Sequence, residues 1–212
     1  MLQGTFAQSK KIDSLYQQLN SAKEDSMRCK ILISLGDEIA SVNLDSALKI
    51  SERSRILAEN NLKKYTAGSS AHNFFLRYSA ISIGKIAWAT SIKGNKTLAI
   101  EYYNESLQML EKLSDKKNLS KTYNNLGLVY SQLGEMNRAL SYYAKSLKIK
   151  EELNDKAGIA SSLTNFALIY GNQGNIAKAL EYNSRALAIY ETLKDQKGIA
   201  SAVNNKIGRA HV

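Results

Sequence analysis

Chemistry that needs a base, a thiolate or a metal has few residues to draw on in this chain. Its 212 residues hold two histidines, His72 and His211, and one cysteine, Cys29. A Ser-His-Asp or Cys-His arrangement would have one credible base, His72, and no supporting motif around it. A Cys/His metal set cannot be assembled, and a lone cysteine makes no internal disulfide. Glycines fall at the ends of expected helices, not in a loop that would cradle phosphate. His72 reads as a helix residue beside Phe74, Phe75 and Tyr78, a group that reads as core. Cys29 reads as a small buried hydrophobe. We therefore expect no catalytic residue, no metal and no cofactor.

A different polar set is ordered along the chain. Asn125, Asn165 and Asn205 recur every 40 residues, and Lys85 holds the same place one interval earlier. An asparagine offers both a donor and an acceptor, so a row of them can hold the backbone of an extended chain whatever its side chains. Neighbouring Asn124, Asn204 and Lys121 add polar reach, and Trp88 and Leu128 add apolar contact. Lysines in such a row favour an acidic or carboxylate-terminated ligand. The competing reading is that asparagine caps or solvates a recurring structural position.

The elements that place this row follow from the same interval. Shifting residues 115–154 by 40 lays Asp115-Lys116, Asn125, Leu128, Tyr130 and Gly134 on Asp155-Lys156, Asn165, Leu168, Tyr170 and Gly174. Ala139-Leu140 and Tyr142 fall on Ala179-Leu180 and Tyr182. A tyrosine at 102, 142 and 182 once per interval argues for packing. Within each interval the apolar residues recur at spacings of three and four, as on one face of a helix. Leu119, Tyr123, Leu126 and Val129 predict a helix over 118–133, and Met136, Ala139, Tyr143 and Leu147 predict another over 136–153. Gly134 separates them, and Asn154-Asp155 breaks and restarts the chain. Small Ala139 and Ser146 allow close helix approach. One such pair cannot bury its apolar face alone, whereas stacked pairs can.

The motif Tyr123-x2-Leu126-Gly127-x2-Tyr130, with Gly134 and Ala139-x3-Tyr143, resembles the tetratricopeptide repeat family. The likeness is strong over 85–205 and weak over 25–65. Ala167 and Asn183 depart from the pattern, the late proline is missing, and the interval is 40 residues rather than about 34. These departures are similar to the long-helix variety of kinesin light chains and of signalling proteins in Bacteroidetes-like bacteria. The resemblance implies an all-α, right-handed α-solenoid of antiparallel helix pairs with about four repeats, whose first helices line a concave groove. It implies a protein- or peptide-binding scaffold, the sensory or interaction region of a truncated bacterial signalling protein. The alternative is a non-catalytic fragment of an enzyme, a sensor histidine kinase or nucleotide cyclase, whose catalytic domain lies downstream.

The expected layout is a capping helix at 9–24, with Ile12, Leu15-Tyr16 and Leu19 on one face, then a divergent repeat at 25–64. A repeat with an extended first helix follows at 65–114, then repeats at 115–154 and 155–194 and half a repeat at 195–205. Twelve extra residues fall around 61–80, in a helix of roughly 68–93 or a loop before it. Met1–Gln8 resembles the tail of a secretory signal peptide, which would make the protein exported or periplasmic and otherwise leaves it cytoplasmic. Residues 207–212 look like a translated sequencing adapter. Lys206 stands where the register asks for an apolar residue, so 206–212 reads as an artefact.

Composition supports helices throughout. There is no proline in the chain, where an average one carries about ten. The net charge of +10 comes from 29 basic and 19 acidic residues spread along the sequence, which reads as a solvated surface. No helix concentrates basic and aromatic residues as nucleic-acid binders do, so no nucleic-acid partner is expected. No stretch reaches the roughly 20 apolar residues of a membrane span, so no membrane insertion is expected.

Overall fold

The computed structural model describes the backbone of residues 2–210 and the side chains of 8–205. Ten helices occupy the described residues: α1 Leu2–Ser21, α2 Asp25–Ala40, α3 Leu44–Leu62, α4 Ser70–Ile92, α5 Lys96–Lys112, α6 Lys116–Gln132, α7 Met136–Glu152, α8 Lys156–Asn172, α9 Ile176–Leu193 and α10 Gln196–Ala210. The turns repeat as the helices do. Gly94, Gly134 and Gly174 take positive φ inside helix pairs, and Ser114, Asn154 and Lys194 take it between pairs. Each such residue reverses the chain in the left-handed region. Three of the following helices start on a side-chain cap, whereas Glu135 before α7 makes none. Asn95 accepts from Leu98 N at 3.1 Å, Asp155 from Gly158 N at 2.9 Å and Asn175 from Lys178 N at 3.1 Å. Each cap satisfies an otherwise orphan helix N–H and is worth about 1 kcal/mol.

The chain forms two compact units, residues 1–115 and 116–212. In the first, α1 lays Ile12, Leu15 and Leu19 on a core of Ile31, Leu32, Leu35, Ile39 and Ala47. Tyr16, expected on that same face, is exposed instead. At position 16 the ring falls about 100° round the helix from Leu15 and leaves the buried stripe. Gln8 Nε2 donates to the Glu38 carbonyl at 2.9 Å, and Lys11 pairs with Glu38 at 2.6 Å, fastening α1 to α2. The extra residues of this unit are shared between a loop at 63–69 and a longer helix, since α4 has 23 residues where α6 and α8 have 17. Phe75 is buried with Cys29 and Ala58. Tyr65 stacks on Phe75 at 5.6 Å, and Phe74 stacks on Tyr78 at 4.5 Å. His72 sits half-buried on α4. Burial, assisted by the charge of Asp25, pushes the Cys29 thiol up to about 12. A thiol held neutral in this way is a hydrophobe rather than a nucleophile.

In the second unit α6–α7 and α8–α9 are helix pairs, and α10 packs on α8 and α9. Buried Gly127 lets α6 approach α7 closely: a methyl there would lie 2.6 Å from the Tyr143 ring. Ser146 Oγ donates to the Ser120 carbonyl at 2.7 Å, and Ser106 Oγ does the same to the Ala80 carbonyl at 2.8 Å in the first unit. The two bonds stand 40 residues apart, so small residues at these places both permit close approach and fasten it. Leu2–Gln8 continue α1, while Met1 and the side chains before Gln8 lie outside the described residues. The adapter-like string continues α10 to Ala210, and its side chains, His211 and Val212 also lie outside them.

Candidate functional site

Exposure marks one face on the first helix of each pair. On α6 the residues open to solvent are Lys117, Lys121 and Leu128, with Asn124 and Asn125 half-buried between them. On α8 the same register gives Ala157, Ser161 and Leu168, with Thr164 and Asn165 half-buried. On α10 it gives Lys197, Ser201 and Asn204 exposed, and Asn205 half-buried. Spacings of four, three and four put these residues on one side of a helix. The opposite side of each helix is the buried one. Leu128 and Leu168 are each 39% exposed, an apolar step repeated beside the asparagines. Leu168 was not singled out by type, though the 40-residue shift from Leu128 marks it.

The asparagine row is itself partly engaged. Asn165 Nδ2 donates to Asn124 Oδ1 at 3.0 Å, joining α8 to α6. That bond uses one proton of Asn165 and one acceptor of Asn124. The Asn165 oxygen and the Asn124 amide protons keep their capacity for a ligand. The row thus joins neighbouring repeats at one point, and Asn124, Asn125 and Asn165 stay half-buried at the edge of the exposed face.

Lys85 and Trp88, the other two sequence-derived residues, lie on α4 in the first unit. Lys85 Nζ is hydrogen-bonded to Asp37 of α2. Trp88 is half-buried one turn further on, and Ile92 is exposed at the helix end. Lys93 pairs with Asp45 at 2.5 Å, and this hydrogen bond holds the Asp45 carboxyl below the usual carboxylate range. The sequence does not announce these two pairs, because the partners are 48 residues apart, off the 40-residue register.

Two of the recurring tyrosines, Tyr142 and Tyr182, pack in stacked pairs. Tyr142 stacks on Tyr130 at 5.3 Å and Tyr182 on Tyr170 at 5.5 Å. Cations cover both pairs: Arg138 over Tyr130 and Lys145 over Tyr142, Lys178 over Tyr170 and Arg185 over Tyr182. A stacked pair capped at both ends has little ring face left for a ligand. Among the described residues no three His, Cys, Asp or Glu side chains gather as metal ligands would. Nor is any described helix long and apolar enough to cross a membrane.

A family model described as tetratricopeptide repeat matches residues 92–152 and 118–192. No curated protein matches the chain. Among solved structures, aspartyl phosphate phosphatase F of Bacillus subtilis superposes with a TM-score of 0.78 at 14% identity, over 95% of this chain and 53% of that one. A Pyrococcus horikoshii signal transduction ATPase with a tetratricopeptide repeat sensor gives 0.72 at 18% identity, over 94% of this chain and 29% of that one. Bacillus thuringiensis PlcR, solved with the peptide PapR7 and DNA, gives 0.69 at 13% identity, over 94% and 71%. At these identities the likeness is one of fold.

Proposed function

Residues 92–192 belong to the tetratricopeptide repeat family, and from that premise we propose that the chain is a peptide-binding scaffold working through the open face of its first helices. The observation that carries this reading is the repeated surface of α6 and α8. Each presents an amide side chain, Asn125 or Asn165, next to a 39%-exposed leucine at one register, while its other side is buried. A peptide backbone lying across two neighbouring first helices would meet Asn124, Asn125 and Asn165, and its apolar side chains would meet Leu128 and Leu168. Asn204 and Asn205 extend the row on α10. Lys117, Lys121 and Lys197 on the same faces favour acidic ligands. PlcR, which shares the fold, was solved with a peptide bound, in line with this use of the architecture. No catalytic role is proposed for the chain.

The setting we propose is bacterial signalling, with this chain as the sensory or interaction part. Support comes from the signal transduction ATPase with a repeat sensor, of which this chain spans 29%. The test starts with selection of ligands from a displayed random-peptide library, followed by calorimetry on an enriched peptide. Replacing Asn125 and Asn165 together with alanine should weaken binding at least tenfold while the helical circular dichroism is kept. Unchanged affinity in that variant, or a library that yields no binder, contradicts the reading.

A further inference from the structure

In the first unit Lys85, which holds the asparagine position on α4, and Lys93 at the end of that helix each already hold a carboxylate. Lys85 on α4 and Lys93, which caps the C-terminus of that helix, stand eight residues apart, and Asp37 on α2 and Asp45 at the start of α3 stand eight apart as well. Each lysine takes one aspartate, Lys85 with Asp37 and Lys93 with Asp45. Between the two lysines α4 carries Trp88, half-buried, and Ile92, exposed. The pattern is cation, aromatic, aliphatic, cation, with both cations covered by internal acids. The aspartates themselves are open to solvent, Asp37 at 60% and Asp45 at 71% of the side chain, so little but the ion pair holds them there.

We propose that Asp37 and Asp45 act as an internal substitute for an acidic ligand, and that a partner peptide binds α4 by exchanging its own carboxylates for them. This rests on the peptide-binding reading above and adds the identity of the ligand and the residues that select it. Eight helical residues span about 12 Å. An extended chain advances about 3.3 Å per residue, so carboxylates four residues apart span about 13 Å. The ligand is therefore an extended acidic segment with two Glu or Asp four residues apart and an apolar side chain between them, which Trp88 and Ile92 receive. Exchange of one ion pair for another changes little Coulomb energy. Removing the internal competitors raises affinity, and the apolar contact then sets selectivity.

Trp88 is the one tryptophan of the chain, so its fluorescence reports this site directly. The probe is a capped heptapeptide with glutamates four residues apart and a leucine midway, titrated into the full chain at low salt. The D37N/D45N variant should bind it about tenfold more tightly than the unaltered chain, as expected for two exposed ion pairs no longer in competition. K85Q/K93Q should lose binding, and a glutamine version of the peptide should not bind any variant. Equal or weaker affinity in D37N/D45N, or equal binding of the glutamine peptide, overturns the proposal. If the double variant loses helical signal, D37N alone should still show a smaller gain, and no gain there overturns it too. Failure here alongside a successful library selection removes the exchange and leaves the scaffold reading standing. Failure of both removes the scaffold reading.

Discussion

Two residues stand in core slots that their neighbours in the repeat fill with other chemistry. Lys150 is 7% exposed where the preceding repeat has Leu110, fully buried, and the following one has Tyr190. Its ammonium donates to Ser162 Oγ at 2.9 Å, and burial, opposed by the charge of Asp155, lowers its pKa. The unfolded chain then binds the proton more strongly than the folded one. Stability should rise with pH through the window between the lowered value and the ordinary 10.5, because there the unfolded state carries more protons. We expect Lys150→Met to remove that slope and to stabilise the fold at neutral pH by about 1–2 kcal/mol, since apolar replacements of buried charges often do. Thermal melts at several pH values check both points. Asn183 is 1% exposed, and both its amide atoms lack a partner among the described residues. Tyr103 and Tyr143 occupy that slot in the earlier repeats. Asn183→Leu should gain about 1–3 kcal/mol by removing an unpaired buried amide, read as a shift of the denaturation midpoint. Sequence comparison shows Asn183 breaking the pattern, but its unpaired burial depends on the groups around it in space.

At the scale of the helix, the close approach of α6 and α7 depends on one missing methyl. Gly127→Ala would bring a Cβ to 2.6 Å from the Tyr143 ring, which is buried and cannot swing away. Helix propensity favours alanine by about 1 kcal/mol, but overpacking typically costs about 1–3 kcal/mol. We expect a net loss of stability, recovered when Tyr143→Leu is added, and a double-mutant cycle of melts measures the coupling. Much at this scale was legible beforehand. The apolar periodicity predicts helices at 118–133 and 136–153, and the fold has α6 at Lys116–Gln132 and α7 at Met136–Glu152. Gly134 and Asn154 turn the chain as their types suggest. The 61–80 segment left a longer helix and a loop as alternatives, and the chain uses both. Periodicity reports which face is buried, not how twelve extra residues divide between helix and turn. The candidate surface was legible as a row of residue types. What escaped was pairing between helices: the Asn124–Asn165 bond and the Lys85–Asp37 pair join residues 41 and 48 apart, and no local pattern announces them.

At the scale of the chain, the proposed binding uses the first helices of the pairs, which the second helices hold in place. The sandwiched tyrosines with their cations stabilise the α6–α7 and α8–α9 pairs, at about 0.5–1 kcal/mol for each exposed cation on a ring. Outside that packing, the face of α6 carries amides, lysines and a leucine, and the face of α8 an amide and a leucine. The most direct measurement of this division uses leucine methyl NMR spectra of the full chain, titrated with a peptide enriched from a random library. Leu128 and Leu168 are exposed on first helices, whereas Leu147 and Leu187 are half-buried on second helices. The methyl signals of Leu128 and Leu168 should shift saturably while those of Leu147 and Leu187 stay in place. Shifts confined to Leu147 and Leu187, with Leu128 and Leu168 unmoved, would contradict the account.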